Sequence, residues 1–186
     1  MAPPQRRSIP TIWRGTRYRS KLEADWARAF HGLGVEAEYE PEGRYYGDTF
    51  YLPDFRLPAS GQLVEVKAET TPDDVRKWLA VLEHTPPRRF TCDVTPDIPL
   101  IIARPGGVFD GFRRPRPATP FADFLLDHSR PVDLARCSQC RGWWFLDGDG
   151  GWNCQCCGLS DGARTLADLR LSPLDPWPAV LAGEVG

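Results

Sequence analysis

The stretch Tyr51–Glu69, YLPDFRLPASGQLVEVKAE, decides how the chain is read. Strand-forming residues flank the turn-forming run Pro58-Ala59-Ser60-Gly61, so the segment reads as two short strands around a reversal. Three charged residues, Asp54, Glu65 and Lys67, sit inside it. Side chains alternate along a strand, so Val64, Val66 and Ala68 share the expected core face while Glu65 and Lys67 share the other. With Pro58–Gly61 as a four-residue loop, Leu57 pairs with Gln62 and Asp54 falls opposite Glu65. Directly opposed residues have Cβ atoms about 5 Å apart, where like charges destabilise the pair. Two such carboxylates need a cation between them, or one must hold a proton. A hard divalent ion, Mg²⁺ or Mn²⁺ in its place, suits one or two carboxylates completed by water and phosphate oxygens. Lys67 lies one pleat further on, in reach of a bound water or a phosphate. The plainer alternative keeps Asp54 as a turn residue and Glu65–Lys67 as an exposed ion pair.

The flanking sequence supplies helices. Ser20 is a good N-cap, and Leu22, Trp26, Phe30 and Leu33 recur at helical spacing until Gly32 and Gly34. Val35–Pro41 alternates like a strand. Thr71 caps a second helix, with Pro72 at its first position and Asp73 and Asp74 at its positive end. Its apolar stripe is Val75, Trp78, Leu79 and Leu82. Pro99–Arg104 reads as a strand buried on both faces. Glu23 has two readings. It completes a Ser20-x-x-Glu23 capping box, and it also lies on the inward stripe with Trp26, Ala27 and Phe30.

Pro53-Asp54 followed by Glu65-Val66-Lys67 resembles the core motif of the PD-(D/E)xK nuclease superfamily, and YRSKLEADWARAF resembles the helix that often precedes that motif in phage and bacterial members. The resemblance spans about residues 16–104. It implies an α/β restriction-endonuclease-like core with a mixed central sheet flanked by helices. It further implies that Asp54 and Glu65 bind a catalytic metal, with the Val66 carbonyl as a further ligand. Lys67 would orient the attacking water or stabilise charge on the phosphate, and Glu23 would be a third acidic member of the site. Arg17, Arg19 and Lys21 near the helix start would meet phosphates, or serve as plain surface charge. Tyr39 and Glu40 precede the hairpin, and nothing in the sequence requires them at the site.

Composition frames these expectations. The chain has 186 residues, 41% hydrophobic and 26% charged, room for one ordinary domain and a small satellite. The net charge is −2, yet Arg6, Arg7, Arg14, Arg17, Arg19, Lys21 and Arg28 crowd the first 28 residues against Glu23 and Asp25. A second basic run comprises Arg88, Arg89, Arg104, Arg113, Arg114 and Arg116. Local basic faces can serve a phosphate backbone in a near-neutral protein. No apolar run has membrane-spanning or signal-peptide length, so a cytoplasmic protein without a membrane partner is expected.

Six cysteines in a cytosolic chain point to metal before disulfides. Cys137-Ser-Gln-Cys140 and Cys154-Gln-Cys156-Cys157 form two knuckles separated by thirteen residues, RGWWFLDGDGGWN. That spacing resembles a zinc ribbon, with Cys137, Cys140, Cys154 and Cys157 as Zn²⁺ ligands and Cys156 as the complication. So small a unit would owe its folding to the metal. Trp143, Trp144, Phe145 and Trp152 read as its packing, with base stacking as a minor alternative. Cys92 reads as an inert thiol, and His31, His84 and His128 show no ligand spacing.

The expected organisation is a nuclease-like core at 1–105, a Pro/Arg-rich connector at 106–133, the ribbon at 134–160 and a tail at 161–186. The expected function is a Mg²⁺-dependent nuclease, acting on DNA ahead of RNA, with the ribbon binding nucleic acid or protein and a homodimer as one possible assembly. The competing expectation is a non-catalytic nucleic-acid-binding zinc-ribbon adaptor built on a nuclease-like core.

Overall fold

In the computed structural model the described residues are 8–85, 99–105, 109–112, 129–147, 154, 157 and 163–165. The first element is a hairpin that sequence reading does not anticipate. Strands β1 (Thr11–Trp13) and β2 (Thr16–Tyr18) pair antiparallel through Arg14 and Gly15, both at positive φ. Helix α1 (Lys21–Leu33) follows, capped by Ser20 as expected and closed by Gly34 at φ 69°. That left-handed conformation is cheap for glycine, and its amide returns to the carbonyls of His31 and Phe30.

Between the helices run five short strands: β3 (Glu38–Tyr39), β4 (Arg44–Tyr46), β5 (Thr49–Tyr51), β6 (Phe55–Arg56) and β7 (Leu63–Val66). The alternation from Val35 to Pro41 appears in burial, although only Glu38 and Tyr39 are paired. β4 and β5 form a separate hairpin. Helix α2 (Pro72–His84) has the expected Thr71 cap, with Asp74 completing a capping box. Then come β8 (Leu100–Ala103), β9 (Phe109–Phe112), β10 (Ser129–Cys137), β11 (Trp143–Asp147) and β12 (Ala163–Thr165).

The main sheet runs β11-β10-β9-β8-β7-β6-β3, with β12 also on β10. Only β7 and β8 are parallel among its pairs. Among the described residues this is an α/β fold on a mixed, mostly antiparallel sheet with two helices. Successive strand residues face opposite sides, and the two cores follow that rule. Val64, Val66, Ile101 and Ala103 pack with Trp26, Ala27 and Phe30 of α1. Leu63, Leu100 and Ile102 pack with Val75, Trp78 and Leu82 of α2. The helices therefore cover opposite faces, and β8 is buried throughout, as its apolar run implies.

Two expectations need correction. Ala68 does not extend the core face of β7, because the strand ends at Val66 and Ala68 is exposed. Within 106–133, read as connector, Phe109–Phe112 and the start of β10 are sheet, since β9 pairs with β8 and β10 pairs with β9. Strand β10 thus runs from the main sheet into the first cysteine knuckle without a break.

The aromatic run before the second knuckle explains why. Phe145 and Trp143 face the α1 core, and Phe109 packs at a tilt between Trp26 and Phe145 at centroid distances of 4.7 and 4.6 Å. Trp144, one residue out of phase, packs with Ala135, Cys137 and Cys154. All three are buried, so at these positions packing is the role and base stacking is not. Trp152, Cys92, Cys156, His128 and the tail after Thr165 lie outside the described residues. No helix among the described residues is long and apolar enough to cross a membrane.

Candidate active site and metal centre

The hairpin register is the one its turn implies. Phe55 pairs with Val64 and Arg56 with Leu63. The Leu57 amide donates to the Gln62 carbonyl at 2.9 Å, and Gly61, at φ 68°, returns its amide to Leu57. One further step sets Asp54 opposite Glu65. Both are buried, at 3% and 7% exposure.

Each carboxylate is held by specific donors. Asp54 Oδ2 accepts the Val66 amide at 2.7 Å, while Oδ1 meets the Arg19 guanidinium. Glu65 Oε2 accepts the hydroxyl of Tyr51 at 2.8 Å, and Oε1 lies 3.2 Å from Lys67 Nζ. Lys67 also reaches Asp74 Oδ1 at 3.0 Å. The two ends of the Glu65–Lys67 pair are thus tied to β5 and to the first turn of α2. The Glu65–Lys67 ion pair of the plainer alternative does form, but with Glu65 buried between these neighbours rather than on an exposed strand.

Burial, and next the charge of Glu65, push the Asp54 carboxyl up to about 7, against the pull of the Val66 amide and Arg19. Burial likewise raises Glu65, opposed by Lys67 and the Tyr51 hydroxyl. Burial alone would lower Lys67, but Glu65 and Asp74 outweigh it and hold the ammonium charged. The hairpin therefore keeps crowded acidic groups that favour an added positive charge.

Glu23 is buried on α1 and belongs to the same neighbourhood. Its Oε1 accepts the Ser20 hydroxyl at 2.8 Å, and its Oε2 accepts the Tyr39 hydroxyl at 2.7 Å and the Arg19 amide at 3.0 Å. The capping interaction is real, but it returns to the amide of Arg19 rather than that of Ser20. Arg19 joins the acidic groups: its Nε lies 2.9 Å from Glu40 Oε1 and 3.9 Å from Glu23 Oε2. Glu40 sits at φ 43°, unusual for a residue with a Cβ, with its amide on the Asp54 carbonyl at 2.8 Å.

Among the residues expected at phosphates, Arg19 therefore points into the carboxylates. Lys21 pairs with Asp25 at 2.6 Å, and Arg17 is exposed. Val66, expected to offer a carbonyl, contributes its amide to Asp54. Tyr51, Asp74 and Gln62 were not legible as site residues. A tyrosine in a strand and an aspartate in a capping box both have sufficient local explanations. A groove of about 700 Å³ lined by Arg44, Tyr46, Arg56 and His84 lies beside the hairpin, but none of Glu23, Asp54, Glu65 or Lys67 lines it.

The second centre is made of sulfur. Cys137, Cys140, Cys154 and Cys157 bring their sulfurs within 4.8 Å of one another, and no other described group of three or more potential ligand side chains does so. Cys137–Cys157 and Cys140–Cys154 are 3.7 and 3.6 Å apart. A tetrahedron with metal–sulfur bonds of about 2.3 Å has edges of about 3.8 Å, so the quartet fits Zn²⁺. Amides of Gln139 and Cys140 lie 3.4 Å from the Cys137 sulfur, that of Gly142 from Cys140, and that of Cys157 from Cys154. Burial would raise the Cys137 thiol, yet the amides of Cys140 and Gln139 and the side chains of Cys154 and Cys140 lower it to about 7, while burial raises the Cys140 thiol.

Gln62 links the two centres. Its side-chain amide donates to the Phe145 carbonyl at 3.0 Å and accepts the Phe145 amide at 2.8 Å. The turn of the carboxylate hairpin is thereby clamped to the strand that backs the cysteines. No family model, no curated protein and no solved structure matches the chain.

Proposed function

We propose that the chain is a divalent-metal-dependent nuclease of the PD-(D/E)xK kind that hydrolyses phosphodiester bonds in DNA, with the cysteine unit as a zinc-stabilised accessory. The observation that carries the reading is the antiparallel opposition of two buried carboxylates, Asp54 and Glu65, with Lys67 one pleat beyond Glu65. The donor set is hard oxygen, and Arg19 already lies against it as a cation, so the residues present fit Mg²⁺ or Mn²⁺. Bound there, such an ion supplies hydroxide near neutral pH and offsets the charge gained by the phosphate.

The remaining work falls to the chain. Asp54 and Glu65 would hold the ion, with Asp54 oriented by the Val66 amide and Glu65 by Tyr51. Lys67, positioned by Asp74, would direct the attacking water or meet a phosphate oxygen. Glu23, fixed by Ser20 and Tyr39, would complete the acidic wall and receive a water proton. Supporting this reading over a merely structural one is the burial of several acidic groups around one hairpin, which a binding-only surface does not require.

One observation favours the non-catalytic adaptor: Arg19 and Lys67 already neutralise the carboxylates internally. Incubation of the protein with single-stranded, duplex and branched DNA and with RNA, in Mg²⁺ or Mn²⁺, separates the two. The nuclease reading expects divalent-dependent cleavage that is lost in folded Lys67→Ala, and the adaptor reading expects binding without turnover.

A further inference from the structure

Arg19 occupies an unusual place for an arginine beside a candidate metal site. Its backbone is fixed at the junction of β2 and α1, where its amide donates to Glu23 Oε2 and to the Tyr39 hydroxyl, each at 3.0 Å. Its side chain is 53% exposed, yet its guanidinium turns inward onto Asp54 Oδ1 and Glu40 Oε1. The other Asp54 oxygen is already engaged by a main-chain amide at 2.7 Å. A divalent ion approaching Asp54 therefore meets a guanidinium on the oxygen that the main chain leaves available.

We infer that Arg19 is a displaceable internal counter-ion, which neutralises Asp54 in the metal-free protein and must leave it when a divalent cation binds. The inference rests on the metal-site reading above and adds a competition to it. Two cations cannot share one carboxylate oxygen without strong repulsion, so the ion's binding energy is reduced by whatever holds Arg19 in place. Glu40, held at φ 43° against the Asp54 carbonyl, contributes the second anchor. Because half of the side chain lies in solvent and the main chain is fixed, release needs only rotation about side-chain bonds. The released guanidinium is then free to meet a phosphate. That reconciles the sequence expectation for Arg19 with its inward pose: it serves phosphate after the metal arrives and Asp54 before. Toward the metal, Arg19 acts through Asp54.

The test is calorimetric titration of the full chain with Mn²⁺, with no nucleic acid present. Wild type, Arg19→Gln, Arg19→Lys and Asp54→Asn are compared, with thermal melting as the check on folding. Arg19→Gln is expected to bind Mn²⁺ at least about fivefold more tightly than wild type, by removal of a competing cation. Arg19→Lys, which keeps a charge but loses the forked geometry, is expected to fall between them. Asp54→Asn is expected to lose this binding. If Arg19→Gln does not stay folded, Arg19→Lys carries the comparison, with tighter binding still required. Unchanged or weaker binding in both Arg19 variants, with Asp54→Asn still losing it, would overturn the counter-ion and leave the metal site standing. Absence of Asp54-dependent binding in every protein would overturn both.

Discussion

The carboxylate hairpin and the cysteine quartet are both candidate metal sites on one sheet, and they are built in opposite ways. The quartet gathers four soft donors with sulfur separations of 3.6 and 3.7 Å and amides pointing at the sulfurs. The hairpin gathers oxygen donors that are already neutralised, Asp54 by Arg19 and Glu65 by Lys67. The first arrangement is unfinished without its ion, since four thiolates would repel one another. In the second, Arg19 and Lys67 offset only part of the acidic charge, so an ion is favoured but must compete to enter. On the proposed reading a structural metal would belong in the first and an exchangeable, working metal in the second.

The largest effect should come from emptying the quartet. Structural zinc contributes about 10–16 kcal/mol in small ribbons. Cys137→Ser or Cys154→Ser should abolish the one zinc per chain expected by elemental analysis, together with the near-ultraviolet signal of buried Trp144. Retention of that signal in a zinc-free protein would break the contrast. Next comes Phe145→Ala, which opens a cavity beside Phe109 in the α1 core, on the strand that carries Trp144 to the cysteines, and should cost about 3–5 kcal/mol in denaturant melts. A loss confined to the cysteine unit, with the core transition unmoved, would make the two regions independent. Gln62→Leu leaves the Phe145 amide and carbonyl buried and unpaired, an expected loss of roughly 3 kcal/mol by the same melts. Tyr51→Phe removes one hydrogen bond to Glu65 and should cost about 1 kcal/mol. It should also weaken Mn²⁺ binding in a titration, and tighter binding would mean that Tyr51 restrains Glu65 away from the ion.

The two sites also differ in how far they could be read from the residues. The cysteine quartet is written in local spacing, so its ligands follow from C-x₂-C chemistry without knowledge of the fold. The hairpin was legible because Pro58–Gly61 sets the loop length and the loop length sets the register that opposes Asp54 to Glu65. What neutralises those charges was not. Arg19 reaches Asp54 across 35 positions of sequence, and no periodicity encodes that contact. Asp74 already had a reason to exist as a helix cap, which hid its second role beside Lys67. The β1–β2 hairpin was masked by its arginines, which read as a charge cluster before they read as strand. Strands β9 and β10 were masked by Pro and Gly, which suggest a connector even though their partners β8 and β11 are strongly sheet-forming. The join between the units fell in that gap, so the ribbon read as a separate module when Gln62 and Phe145 bind it to the core.

The proposed function makes Asp54, Glu65 and Lys67 a working phosphodiesterase centre. The most direct measurement is cleavage of duplex and single-stranded DNA by wild type, Asp54→Asn and Lys67→Ala at matched concentration. Each is assayed with Mg²⁺ and with a chelator, after circular dichroism has established that all three are folded. The expected result is cleavage by wild type that requires the divalent ion and falls by about a hundredfold or more in both variants. Cleavage that persists undiminished in both folded variants, or nucleic-acid binding with no cleavage by wild type, would contradict it.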